Sequence, residues 1–127
     1  MITLVKQIEY WRVNSENDIG TAKILIDAIK IVRKYVDNLN KAGFPIMKAY
    51  LYGSYARNEA NENSDIDVLL VSDIFDTDDD KILAEPWSPK YRTDHRIEPV
   101  AIGKRLFLSD NESLILNIVK KEGIEIV

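Results

Sequence analysis

Cysteine is absent from the 127 residues, which excludes disulfides, thiolate metal sites and thiol nucleophiles together. Histidine occurs once, as His95, and a lone histidine reads as structural. No apolar run approaches the roughly 18 residues that a membrane span needs, and the N-terminus has neither a basic n-region nor a cleavage site. No membrane partner is therefore expected, and the expected location is cytoplasmic. Positive charge is not in excess: the net charge of −4 argues against a broad nucleic-acid footprint. Repeats, linkers and low-complexity tracts are also missing. With 46% hydrophobic and 30% charged residues, the chain reads as a single globular domain whose core needs no staples.

One stretch, residues 51–69, organises the rest: Leu51-Tyr-Gly-Ser-Tyr-Ala-Arg-Asn-Glu-Ala-Asn-Glu-Asn-Ser-Asp65-Ile-Asp67-Val-Leu69. An apolar run over 46–51 stops at Gly53-Ser54. Helix-favouring residues follow over 55–60, then a polar loop over 61–64. The run 66–71 is too short for a helix and rich in strand formers. The pattern is strand, glycine turn, helix, loop, strand, with Asp65 and Asp67 at the mouth of the second strand. Strand residues i and i+2 share a face, so the two carboxylates project side by side. They repel unless a cation lies between them, and a hard, oxygen-seeking ion such as Mg²⁺ suits them. Gly53 permits a positive φ and close approach to the backbone. The first N–H groups of the following helix form an anion cradle, to which Ser54 adds a hydroxyl and Arg57 a charge. The competing reading takes Ser64-x-x-Asp67 as a helix capping box, with both aspartates complementing a helix dipole.

Gly53-Ser54-Tyr55-Ala56-Arg57 followed by Ser64-Asp65-Ile66-Asp67-Val68-Leu69-Leu70-Val71 closely resembles the signature of the minimal nucleotidyltransferases, of the DNA polymerase β superfamily. The resemblance covers about 44–102. It implies an α/β (α+β) fold: a mixed sheet of four or five strands with helices packed mainly on one face. It further implies that Asp65 and Asp67 hold one or two Mg²⁺ ions bridging the phosphates of ATP or another nucleoside triphosphate. Gly53 and Ser54 would hold the β- and γ-phosphates, with Arg57 beside them. A third carboxylate is implied on the neighbouring strand. Glu98 matches its apolar-acid-apolar context, although it is one methylene longer than the usual Asp and precedes Pro99; Asp94 is the alternative. Where the family has glycine after Arg57, this chain has Asn58, which tolerates left-handed geometry. The small members of the family are commonly antitoxins that adenylylate a tyrosine of a HEPN ribonuclease. The resemblance thus implies a metal-dependent nucleotidyltransferase acting on a partner protein. A different class of function is a non-catalytic module that masks a partner by contact.

The remaining segments frame this core. Residues 1–42 read as helical. Leu4, Val5, Ile8 and Trp11 stripe a first helix, and a second runs from residue 17 or 18 to 39. The opening, residues 8–25, weakly resembles the first helices of HEPN domains; otherwise it packs on the sheet or on a second subunit in a homodimer. The acidic run 76–80 lacks the glycine and glutamate of a calcium loop, and Asp76 or Thr77 is expected to cap a short helix ended by Pro86 and Pro89. Trp87, Lys90, Tyr91 and Arg92 either border a nucleotide mouth or pack, with packing favoured. A third strand is expected over 95–102. Residues 103–127 supply a last helix over 111–121, capped by Ser109 or Asp110 and stopped by Gly123, and a closing strand.

Overall fold

Apolar residues recurring every three or four positions, Leu25, Ala28, Ile29, Val32, Tyr35, Val36 and Leu39, give one face of a long helix something to bury. In the computed structural model, which describes residues 19–109 and 113–127 and side chains from residue 22 onward, they line helix α1, Ile19–Lys41. α1 ends just ahead of Gly43 and Pro45. The stripe lies against one face of a four-stranded sheet formed by β1 (Lys48–Tyr52), β2 (Ile66–Ser72), β3 (Ile97–Gly103) and β4 (Ile124–Glu125). The expected first helix and most of the HEPN-like opening lie outside the described residues.

The strand order is β3-β2-β1-β4, with β2 parallel to β3 and β1 antiparallel to both β2 and β4. The sheet is mixed, as expected. β2 is central and covered on both faces, which is why it reads as an almost unbroken apolar run. β3 is an edge strand, so the donor missing at Pro99 weakens no interior ladder. Ile66, Val68, Leu70, Leu51, Ala49 and Ile97 face α1 and form the larger core. Each fully buried isoleucine, leucine or valine side chain here contributes about 1.5–3 kcal/mol relative to exposure. On the other face, Tyr50, Leu69, Val71 and Ile102 pack under α4 (Leu114–Glu122) through Leu116 and Val119. Partly buried Phe107, from the short helix α3 (Lys104–Leu108), joins them and stacks on Tyr50 at 5.7 Å.

Between β2 and β3 the chain passes over the α1 side through a 3-10 turn, the short helix α2 (Asp80–Ala84) and a second 3-10 turn containing Pro86. α2 is capped by Asp79, whose carboxylate accepts from Lys81 N–H at 2.9 Å, rather than by Asp76 or Thr77. Asp76 instead accepts from Arg105 N–H, and Thr77 Oγ1 from Asp79 N–H. The following loop packs, as favoured: Arg92 lies over the Trp87 ring at 5.1 Å, Tyr91 meets Phe44, and the buried Tyr35 hydroxyl donates to Pro86 O at 2.7 Å. Burial holds the Tyr35 phenol above its ordinary range. In the last helix, Ser113 precedes Leu114 without a side-chain cap bond. Ser109 donates back to Leu106 O at the end of α3, and Asp110 is outside the described residues.

Candidate active site

β1 and β2 are joined by residues 53–65, so both halves of the motif belong to one hairpin connection. Gly53 has φ +77°, and a Cβ placed on it would lie 2.3 Å from Asp67 Oδ2. Glycine is required there twice over: for the backbone, and because the Asp67 carboxylate rests against its Cα. Residues 55–60 do not form the expected helix. Arg57 N–H donates to Gly53 O at 3.1 Å, Glu59 N–H to Ser54 O at 2.9 Å, and Asn58 takes φ +60°. A left-handed residue at that point closes the chain after a single turn, as at a helix C-terminus, and sends it back toward β2. The anion donors at this end are therefore those of a tight turn, with no helix dipole behind them.

The loop before β2 is tied down from beneath. Tyr55, 1% exposed, donates to Asn61 O at 3.1 Å and accepts from Arg96 at 3.2 Å. Arg96 also donates to Glu62 O and grips Asp94 through two side-chain bonds, at 3.0 and 2.9 Å. Ser64 Oγ accepts from Asn61 N–H, and the ladder begins at Ile66, so Ser64 and Asp67 form no capping box.

This anchoring delivers Asp65 and Asp67 differently. Asp65 precedes the ladder and is exposed, whereas Asp67 is half-buried within it. The register sets Tyr52 opposite Asp67 on one side and Glu98 opposite it on the other. Neighbouring strands lie about 4.8 Å apart, so this row crosses the sheet as one continuous patch. The row below it on the same face, Tyr50, Leu69 and Val100, packs in the apolar cluster under α4. Of the two acids considered for the third position, Glu98 is thus the cross-strand neighbour of Asp67. Asp94 precedes β3, and its side-chain bonds to Arg96 hold its carboxyl below the usual range.

The charges feel one another. Asp67 is pushed up to about 6, first by burial, then by Glu98 and Asp65, with Arg57 opposing and Glu122 adding. Tyr52 is pushed up to about 12 by burial, then by Asp67 and Glu98. Tyr52 and Glu122 border this candidate site, and neither was expected there from the sequence. Strand alternation from Leu51 could have found Tyr52; nothing local marks Glu122. It ends α4 and reaches across to the turn, where Oε1 accepts from Gly53 N–H at 3.1 Å and from Arg57 Nη1 at 3.2 Å. Arg57 also pairs with Glu59 at 3.1 Å. Ser54 is half-buried in the same turn.

A hard divalent cation fits this donor set: all its members are carboxylates, and the ionised form of Asp67 is opposed by the like charges of Glu98, Asp65 and Glu122, which a cation would offset. Among the described residues, no three His, Asp or Glu side chains are already gathered around one metal position. Two clefts, of about 440 and 490 Å³, lie away from the carboxylate row. One is lined by Lys23, Asp27, Tyr55 and Arg96, the other by Lys34, Lys41 and Lys90.

The sequence profile of the nucleotidyltransferase domain matches residues 29–124. The chain belongs to the nucleotidyltransferase domain family. This nucleotidyltransferase domain also shares its fold with a protein of Sulfolobus solfataricus, described as a candidate nucleotidyltransferase and solved at 1.40 Å, with a TM-score of 0.57 and 19% identity over 71% of this chain and 79% of that one. A comparison with curated proteins finds no match. No helix among the described residues of the nucleotidyltransferase domain is long and apolar enough to cross a membrane.

Proposed function

We propose that this nucleotidyltransferase domain transfers a nucleoside monophosphate, AMP by preference, from a nucleoside triphosphate to a hydroxyl of a partner protein. One observation carries the reading: Asp67 and Glu98 are cross-strand neighbours, and the Asp67 carboxylate rests on the Gly53 turn. This joins a carboxylate pair and an anion-binding turn within one small patch. Asp65, Asp67 and Glu98 would hold Mg²⁺, which when bound offsets phosphate charge and polarises the phosphorus under attack. Gly53 N–H, the Ser54 hydroxyl and Arg57 orient the β- and γ-phosphates. Arg57 is 46% exposed, and its present ion pairs are weak enough to exchange for a phosphate. The acceptor oxygen forms its bond to the α-phosphorus, the bond from that phosphorus to the bridging oxygen breaks, and pyrophosphate departs. Glu98 takes the proton from the acceptor.

A protein acceptor is favoured because the carboxylate row lies at one end of the sheet, with Asp65 exposed. Within the family likeness, a HEPN-domain protein is the partner of choice, with this chain as its antitoxin. The test is transfer of label from α-labelled ATP, in Mg²⁺, to the HEPN-domain protein encoded by an adjoining gene. Transfer that is lost in Asp65→Asn/Asp67→Asn supports the reading. A tight complex formed without any transfer contradicts it and identifies a module that masks its partner by contact.

A further inference from the structure

The donors assigned above to the triphosphate already have an anion on them. Glu122 Oε1 accepts from both Gly53 N–H and Arg57 Nη1. Its placement is built into the fold. Leu116 and Val119, both fully buried, seat α4 on the sheet face that carries Asp67 and Glu98. Immediately after Glu122 the chain turns into β4, where Ile124 pairs with Leu51. Gly123 makes that turn at close quarters, since a Cβ there would lie 2.5 Å from Val119 O. The backbone of Glu122 is thus fixed beside the end of β1, while its side chain remains 22% exposed.

We propose that Glu122 is an affinity-determining residue of this site, an internal carboxylate that a polyphosphate displaces from Gly53 N–H and Arg57. The inference rests on the nucleotide reading above. A carboxylate and a phosphate oxygen are both anionic acceptors, and one backbone N–H serves only one of them well. Leaving both in place would set like charges in contact, so Glu122 swings toward solvent when phosphate arrives. A glutamate at a helix end, with its backbone held and its side chain partly in water, can make that movement without disturbing the core. Two charge-assisted hydrogen bonds are exchanged for two others, and the nucleotide binds more weakly than the donors alone would permit. After transfer the same carboxylate returns to the donors and competes with pyrophosphate, which favours product release.

Glu122→Gln tests this, because the amide keeps the size and one accepting oxygen but loses the charge. Calorimetry on the full chain, with inorganic tripolyphosphate and with ATP, each in Mg²⁺, should give binding on the order of tenfold tighter than wild type, about 1.4 kcal/mol. Pyrophosphate should tighten likewise. Glu122→Asp keeps the charge but withdraws it by one methylene, and should give a smaller gain; this variant tests the proposal by itself should the first not fold. Equal or weaker binding in the variants, with wild type binding normally, overturns the proposal and makes Glu122 a clamp on the turn. If neither wild type nor variants bind Mg²⁺-ATP, the nucleotide reading falls, and this inference with it.

Discussion

Asp67→Asn in the metal-free protein should raise stability above pH 6. In the folded chain Asp67 is half-buried against Gly53, and burial, Glu98 and Asp65 together push its carboxyl from 3.8 up to about 6. The direction of the linkage follows from that rise. With the folded value above the unfolded one, the folded state binds the proton more tightly; this stability is fully present below pH 4 and lost as the pH rises through 6. At pH 8 the ionised Asp67 therefore opposes folding. The full rise corresponds to roughly 3 kcal/mol, and because the side chain remains partly open to water we expect about 1–2 kcal/mol of it in practice. Asparagine has the same shape and can rest on Gly53 in the same way. Urea unfolding in EDTA at pH 8 should find Asp67→Asn more stable by about 1–2 kcal/mol, with the difference closing between pH 6 and 4. A variant less stable than wild type at pH 8, or a difference independent of pH, would refute the reasoning that like charge and burial meet at this carboxylate.

Gly53→Ala forces a side chain onto φ +77° and into the Asp67 carboxylate, so stability should fall by about 1–2 kcal/mol, with a larger loss of Mg²⁺-nucleotide binding; denaturant titration and calorimetry measure the two, and unchanged binding would count against the site. Glu98→Gln should spare nucleotide binding but lower the transfer rate by roughly 10²–10⁴, measured in single turnovers; a rate close to wild type would remove Glu98 from the mechanism. Asp94→Asn should leave binding intact and cost about 1 kcal/mol of stability at pH 7. Because Arg96 lowers the Asp94 carboxyl in the folded chain, that cost should disappear as the pH falls below about 4, as acid unfolding would show.

Much of this site is legible in the chain. The largely apolar run 66–71 announces a strand covered on both faces, and two-residue alternation from Ile66 assigns Asp67 to the face opposite the α1 core. Asn58 at φ +60° fulfils the left-handed role for which asparagine suits. Residues 55–60 mislead because they favour a helix locally, while the hairpin must return to β2 within 13 residues and closes after one turn. Any of four acidic or hydroxyl residues before α2 could cap it, and local sequence does not single out Asp79. Glu122 is invisible for a different reason. Its contact with Gly53 spans 69 positions and exists only because Leu116 and Val119 seat α4 across the end of β1.

Under the proposed function, Asp65, Asp67 and Glu98 receive a triphosphate only through a divalent cation. Calorimetric titration of the metal-free chain with ATP, in Mg²⁺ and separately in EDTA, distinguishes this from direct binding. Binding should saturate with Mg²⁺ and be absent with EDTA, because four carboxylates, Asp65, Asp67, Glu98 and Glu122, crowd an end of the sheet beside Arg57. Equal binding under both conditions would contradict that requirement.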